Sequence, residues 1–115
     1  MIQVIKVKTA TIASGASLSG FVEIDEALYI GIEMPAAWDA ANLTFQVSRN
    51  GSDWLDLYDD AGNEVTVTAS SGTSIGIKSS ADAFKPWQYV KIRSGTSALP
   101  VNQTAARTLY VCVKY

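Results

Sequence analysis

LTFQVSRNGSDWLDLY, residues 43–58, alternates apolar and polar side chains with a period of two. In an extended strand that period sends Leu43, Phe45 and Val47 to one face and Thr44, Gln46 and Ser48 to the other. Asn50-Gly51 follows, and both residues tolerate a positive φ, so the pair predicts a chain reversal. Trp54 to Tyr58 then runs back, with Leu55 and Leu57 on one face and Trp54, Asp56 and Tyr58 on the other. The stretch reads as a β-hairpin with one buried face.

The same rhythm recurs on both sides of it. Ile2 to Lys8 separates Ile5 and Val7 from Lys6 and Lys8 and reads as an edge strand, because lysines blunt sheet edges. Thr11 to Ser19 is a small, polar short strand or extended connection. Phe21, Val22 and Ile24 begin another strand. Leu28, Ile30, Ile32 and Met34 alternate with Tyr29, Gly31 and Glu33 until Pro35, which cannot donate to a ladder. Ala36 to Asn42 has helical composition but is too short for a stable helix, so it predicts a turn, with Trp38 over one end of the core. After the hairpin come an Asp59–Asn63 loop and a strand from Glu64 to Thr68 with Val65 and Val67 inward. A third loop, Ala69–Thr73, leads to a short strand at Ile75 and Ile77, and a connection from Ser79 to Pro86 holds Phe84. Trp87 to Arg93 is a strand with Val90 and Ile92 on one side. The long polar loop Ser94–Ala106 has the length at which loops carry function. Arg107 to Tyr115 closes the chain as a strand. Eight to nine short strands with turn signals every 8–12 residues predict an all-β, antiparallel β-sandwich, and the lack of strand–helix alternation disfavours a parallel α/β sheet.

A chain of 115 residues is the size of one domain, residues 1–115. Charged residues are 17% of the chain and the net charge is −2. A surface of Ser, Thr, Asn, Gln and Gly carries little self-repulsion and suits repeated protein contact. Lysines and arginines are scattered, which argues against nucleic-acid binding. No apolar run reaches the roughly 18 residues of a membrane span. The start, MIQVIKVKTA, lacks the order of a cleavable signal, so an extracellular destination would require another route, such as release at lysis. Cys112 is the one cysteine, and there is no histidine. Cys112 therefore reads as a packed strand side chain rather than a nucleophile. No cofactor and no enzyme activity are expected.

The clustered carboxylates are Asp53, Asp56, Asp59, Asp60 and Glu64. They read as turn chemistry and solvation, with a surface cation site as the alternative, and their spacing fails the EF-hand pattern. A glycosidase pair from Asp53 and Glu64 has no supporting motif. Lys91 and Arg93 read as a solvated strand face. Trp54 and Trp87 read as covers for the sandwich ends, while Tyr29 and Tyr110 sit on the polar faces of strands whose other faces are core. Tyr29, Trp54 and Tyr110 are the candidate contact residues for a partner or a glycan.

Two resemblances follow. Ser48-Arg49-Asn50-Gly51-Ser52-Asp53-Trp54 resembles the hairpin of discoidin-like jelly rolls, and Tyr89-Val90-Lys91-Ile92-Arg93 resembles a later strand of that family. Gln88 stands where an arginine is usual, and the family's ligand loops have no matching positions. That resemblance implies a compact antiparallel jelly roll, with a carbohydrate-binding module as one functional expectation. MPAAWDAANLTFQVSRNGSDWLDLYDDAGNEVTV and RTLYVCVKY make the whole chain resemble small virion proteins of tailed phages. That resemblance implies a structural protein that decorates or stabilises the capsid or attaches to the tail. It would be assembled in the host cytoplasm, with other virion proteins and its own copies as partners and neither nucleic acid nor membrane. The terminal strands and the Ser94–Ala106 loop are then the expected contact elements.

Overall fold

A computed structural model describes residues 5–24, 29–77 and 81–114, the side chains of Tyr29 and Ala81 excepted. Among the described residues eight strands form in chain order: β1 (Ile5–Ile12), β2 (Leu18–Glu23), β3 (Tyr29–Glu33), β4 (Leu43–Ser48), β5 (Leu55–Asp56), β6 (Ser74–Ile77), β7 (Tyr89–Ser94) and β8 (Arg107–Lys114). A single helical turn, α1 (Ala81–Phe84), precedes β7. Every ladder is antiparallel, and the sheet order is β5-β4-β7-β2-β1-β8-β3-β6. The two halves, β5-β4-β7-β2 and β1-β8-β3-β6, join where Ile12 pairs with Ser19. In the second half early strands alternate with later ones, whereas in the first β5 and β4 are a sequential hairpin beside β7 and β2.

The sheet curls at that junction so that both halves share one buried cluster. Leu43, Phe45 and Val47 of β4 meet Val90 and Ile92 of β7 and Val22 of β2 from one half. Ala10, Ile12, Ile30, Ile32, Leu109, Val111 and Val113 come from the other. The predicted inward sets of β3, β4, β7 and β8 are therefore the observed ones, apart from Leu28, which lies outside the described residues. Phe84, read as part of a connection, is carried by α1 into the core, where its ring meets Phe45 edge-on at 4.9 Å.

Several local expectations are corrected. The Asn50-Gly51 reversal lies within a six-residue loop, Arg49–Trp54, so Trp54 belongs to the loop rather than to the returning strand. Ser48 Oγ accepts from the Asn50 and Gly51 amides, and Asn50 Oδ1 accepts from Ser52 and Asp53, so side chains supply the turn. Gly51 takes φ +80° against the Tyr89 ring. Leu55 pairs with Val47 but is exposed at the sheet edge, whereas Leu57 is buried. Val65 and Val67 do not lie in a strand: Val67 forms an isolated bridge with Leu43, and Glu64, next to Val65, forms one with Tyr58. Strand β1 pairs along its whole length with β8 and stands between β2 and β8 rather than at a sheet edge, with Ile5 and Val7 exposed. Lys8 shares the parity of buried Ala10 and Ile12, and its ammonium donates to the Glu23 carbonyl at the rim of the core. Residues 1–4 and Tyr115 of the predicted terminal strands lie outside the described residues.

Candidate functional site

The outer face of β2, β7 and β4 is built by register. Phe21 pairs with Lys91, Lys91 with Gln46, and Tyr89 with Ser48. A register shift between Leu18 and Phe21 leaves Val22 inward and Phe21 outward, 57% exposed. Trp54 reaches this face from the loop before β5. Its ring lies 6.4 Å from Phe21, Phe21 meets Tyr89 edge-on at 5.6 Å, and Lys91 Nζ sits 4.5 Å over the Trp54 ring. This is a half-exposed aromatic platform with a cation at one edge. Trp54 thus lies on a sheet face rather than covering a sandwich end. Phe21 and Tyr89 were not singled out by sequence, although the outward parity of Tyr89 was legible.

Farther along the same face the polar groups serve the fold. Arg93 is buried, contrary to the solvated face expected. Its guanidinium donates to Asp56 at 2.5 Å, to Glu64 at 3.4 Å and to Thr44 Oγ1 at 3.3 Å. Glu64 also accepts the Ser97 amide. Asp53 accepts from Asn50 and Arg49, and Asp59 accepts the Ala61 and Asn63 amides within its own loop. Four of the five clustered acids are thereby divided between Arg93, which pairs with Asp56 and Glu64, and two turns, which hold Asp53 and Asp59. Among the described residues no group of three potential metal ligands converges.

The opposite outer face, on β1, β8, β3 and β6, carries Tyr110, which is 45% exposed and pairs with Thr9 and Glu33. Tyr29 pairs through its backbone with Lys114, and its side chain lies outside the described residues. Trp54 and Tyr110 therefore belong to opposite halves of the sandwich and do not form one site.

The Ser94–Ala106 loop is fastened through buried Ser94, Gly95 and Gln103, with Ala98 to Pro100 exposed at its tip and Asn102 and Thr104 to Ala106 exposed on its return. Gln103 is buried: its Oε1 accepts the Asp39 amide and Arg107 Nε, and its Nε2 donates to the Asp39 carbonyl and Ser94 Oγ. Asp39 accepts the Thr104 amide at 2.6 Å and the Thr104 hydroxyl. Those two bonds, with the Arg107 charge beside them, hold the Asp39 carboxyl below the usual carboxylate range. A group depressed in the folded state contributes stability above its unfolded pKa and loses it as pH falls through its folded one. Wild type is therefore expected to exceed Asp39→Asn in stability near neutral pH. Denaturant titrations should show that gap closing as pH falls through and below the carboxylate range.

No family model matches the chain, and no curated protein matches it. Among solved structures the chain is similar to the crystal structure of the SPBc2 prophage-derived protein YomS. The identity is 10% and the TM-score 0.57, with 100% of this chain and 98% of that chain covered. At that identity the likeness is one of fold.

Proposed function

We propose that this chain is a structural protein of a phage particle, decorating or stabilising the capsid or attached to the tail, and acting through its sheet faces rather than by catalysis. The observation that carries the reading is the placement of large apolar side chains on both outer faces. Phe21 lies on one, and Ile5 and Val7, 64% and 62% exposed, lie on the other beside Tyr110. Such a molecule makes modest contacts on two sides, which suits a lattice in which many copies supply avidity. Support also comes from the prophage origin of the structural neighbour and from the low charge of the surface, since few charges need desolvation on contact. Partners are other virion proteins and further copies of the chain.

The test is composition. Particles purified from lysates of the phage that encodes the chain should contain it in many copies by quantitative mass spectrometry, and antibody should label the intact particle surface. Its absence from purified particles would remove the proposal.

The aromatic platform favours one second reading, a glycan-binding module. A sugar ring would stack on Trp54 or Phe21, with Lys91 and Gln46 as polar neighbours. Saturable binding on a glycan array, lost in Trp54→Ala and Phe21→Ala, would favour it. The same binding left intact by both variants would not.

A further inference from the structure

The outer face of β1, β8, β3 and β6 contains a shallow trench crossing the strands. One register row runs Val7–Cys112–Gly31–Gly76. Two adjacent glycines and a cysteine leave its floor low, and a depression of about 210 Å³ opens beside Gly31, Gly76 and Cys112. The neighbouring row on one side, Thr9–Tyr110–Glu33–Ser74, carries an acid. On the other side Ile5 pairs with Lys114, which carries a base. The trench therefore has walls of opposite charge, with exposed Ile5, Val7 and Tyr110 around its β1 end.

We infer that this face pairs with the same face of a second copy, about a two-fold axis lying along the Val7–Gly76 row. The charges select that axis. Turning a copy over about the row exchanges its walls, so the Glu33–Tyr110 wall of each copy meets the Lys114–Ile5 wall of the other. After the turn, Glu33 of one copy and Lys114 of the other are offset sideways by one strand spacing, roughly 5 Å, within reach of two long side chains. A two-fold axis along the strands would instead set like walls together. The chosen axis makes the contact isologous and closed. It also places Cys112 of one copy opposite Cys112 of the other. Four strands of about five residues give a footprint of roughly 20 by 17 Å, smaller than the patch of a stable dimer, so pairing is weak in solution and is reinforced where copies are held in an array.

This inference deepens the proposed function and rests on its reading that the sheet faces are contact surfaces. Sedimentation over a concentration series into the high micromolar range should show a monomer–dimer equilibrium, and a short bismaleimide should link the dimer at Cys112. Glu33→Lys and Lys114→Glu should each weaken association about tenfold or more, and the double reversal should restore most of it, since like charges across a contact are strongly unfavourable. Gly76→Tyr should abolish pairing with little change in the thermal midpoint, because a Cβ built there meets nothing within 4 Å in its own chain and the position faces outward. A strict monomer throughout the series would overturn the inference, as would a dimer indifferent to both reversals and to Gly76→Tyr. Particles that still incorporate such a monomer would leave the proposed function standing while this pairing fell.

Discussion

Gly95→Ala is expected to lower the unfolding free energy by about 3 kcal/mol, with a midpoint about 12 °C below wild type at roughly 4 °C per kcal/mol for a domain of this size. Gly95 follows the last residue of β7 with φ +90°. Its amide donates to the Asn42 carbonyl, and its own carbonyl accepts the Thr44 hydroxyl, so its peptide groups are fixed on both sides. A Cβ built there would lie 2.5 Å from Leu99 O, 2.7 Å from Val101 N and 3.0 Å from Pro100 Cα. All three are backbone atoms, and the Val101 amide is itself bonded to Ser94 O, so no flexible side chain can swing aside. The left-handed backbone accounts for about 1–2 kcal/mol and the forced displacement for about 1–3 more. Gly15→Ala separates the two effects. Gly15 has φ +80° but open space around the added methyl, so it should lose only the smaller, conformational part. Equal losses in the two variants, measured by denaturant titration, would mean that the crowding at Gly95 relaxes freely.

The period-two pattern was legible wherever a strand is flanked along its length by other strands. Leu43, Phe45 and Val47 lie between neighbours on both sides and bury as their alternation requires. The pattern misled where the sheet ends or turns. Leu55 has the parity of Val47, but β5 is a two-residue edge with nothing beyond it to cover the side chain. In β1 the alternation Ile5-Lys6-Val7-Lys8 is symmetric between its two faces, and the choice is made downstream, by Ala10 and Ile12. Those two residues share the lysines' parity, and burying them turns Ile5 and Val7 outward. Val65 and Val67 turn inward as their alternation requires, yet their segment forms isolated bridges rather than a strand.

The candidate surfaces were less legible than the fold because each is assembled from several strands. Trp54, Tyr29 and Tyr110 were identifiable as aromatics off the core face, but nothing local reveals that β5 and β8 lie in opposite halves. The trench is a row across four strands, and no stretch of sequence contains it. Likewise Gln103 looks like an ordinary loop residue. Only the return of residues 94–106 across Asp39 makes its amide a buried hub.

Arg93→Met is the other substitution expected to have a large effect, a loss of about 3 kcal/mol. On sequence, Arg93 beside Lys91 reads as a solvated cation, and removing a surface ion pair changes stability by less than about 1 kcal/mol. In the fold its side chain is 9% exposed and holds two carboxylates, Asp56 and Glu64, 33% and 14% exposed. Breaking a buried pair by deleting one partner costs about 3–5 kcal/mol, because the remaining charge stays out of water. Asp56 is open enough to rehydrate, which moves the expectation to the lower end. Glu64 cannot do so without releasing the Ser97 amide and the loop it anchors. The second substitution Glu64→Gln should therefore recover part of the loss on the Arg93→Met background while destabilising wild type, a coupling that a double-mutant cycle reads directly. Arg93→Lys should fall between, since an ammonium keeps the charge but cannot span Asp56, Glu64 and Thr44 as the planar fork does. A loss below about 1 kcal/mol in Arg93→Met, with no coupling to Glu64, would put the guanidinium back in solvent. The outer face of β7 would then be the open, charged surface that the alternation of Lys91 and Arg93 suggested.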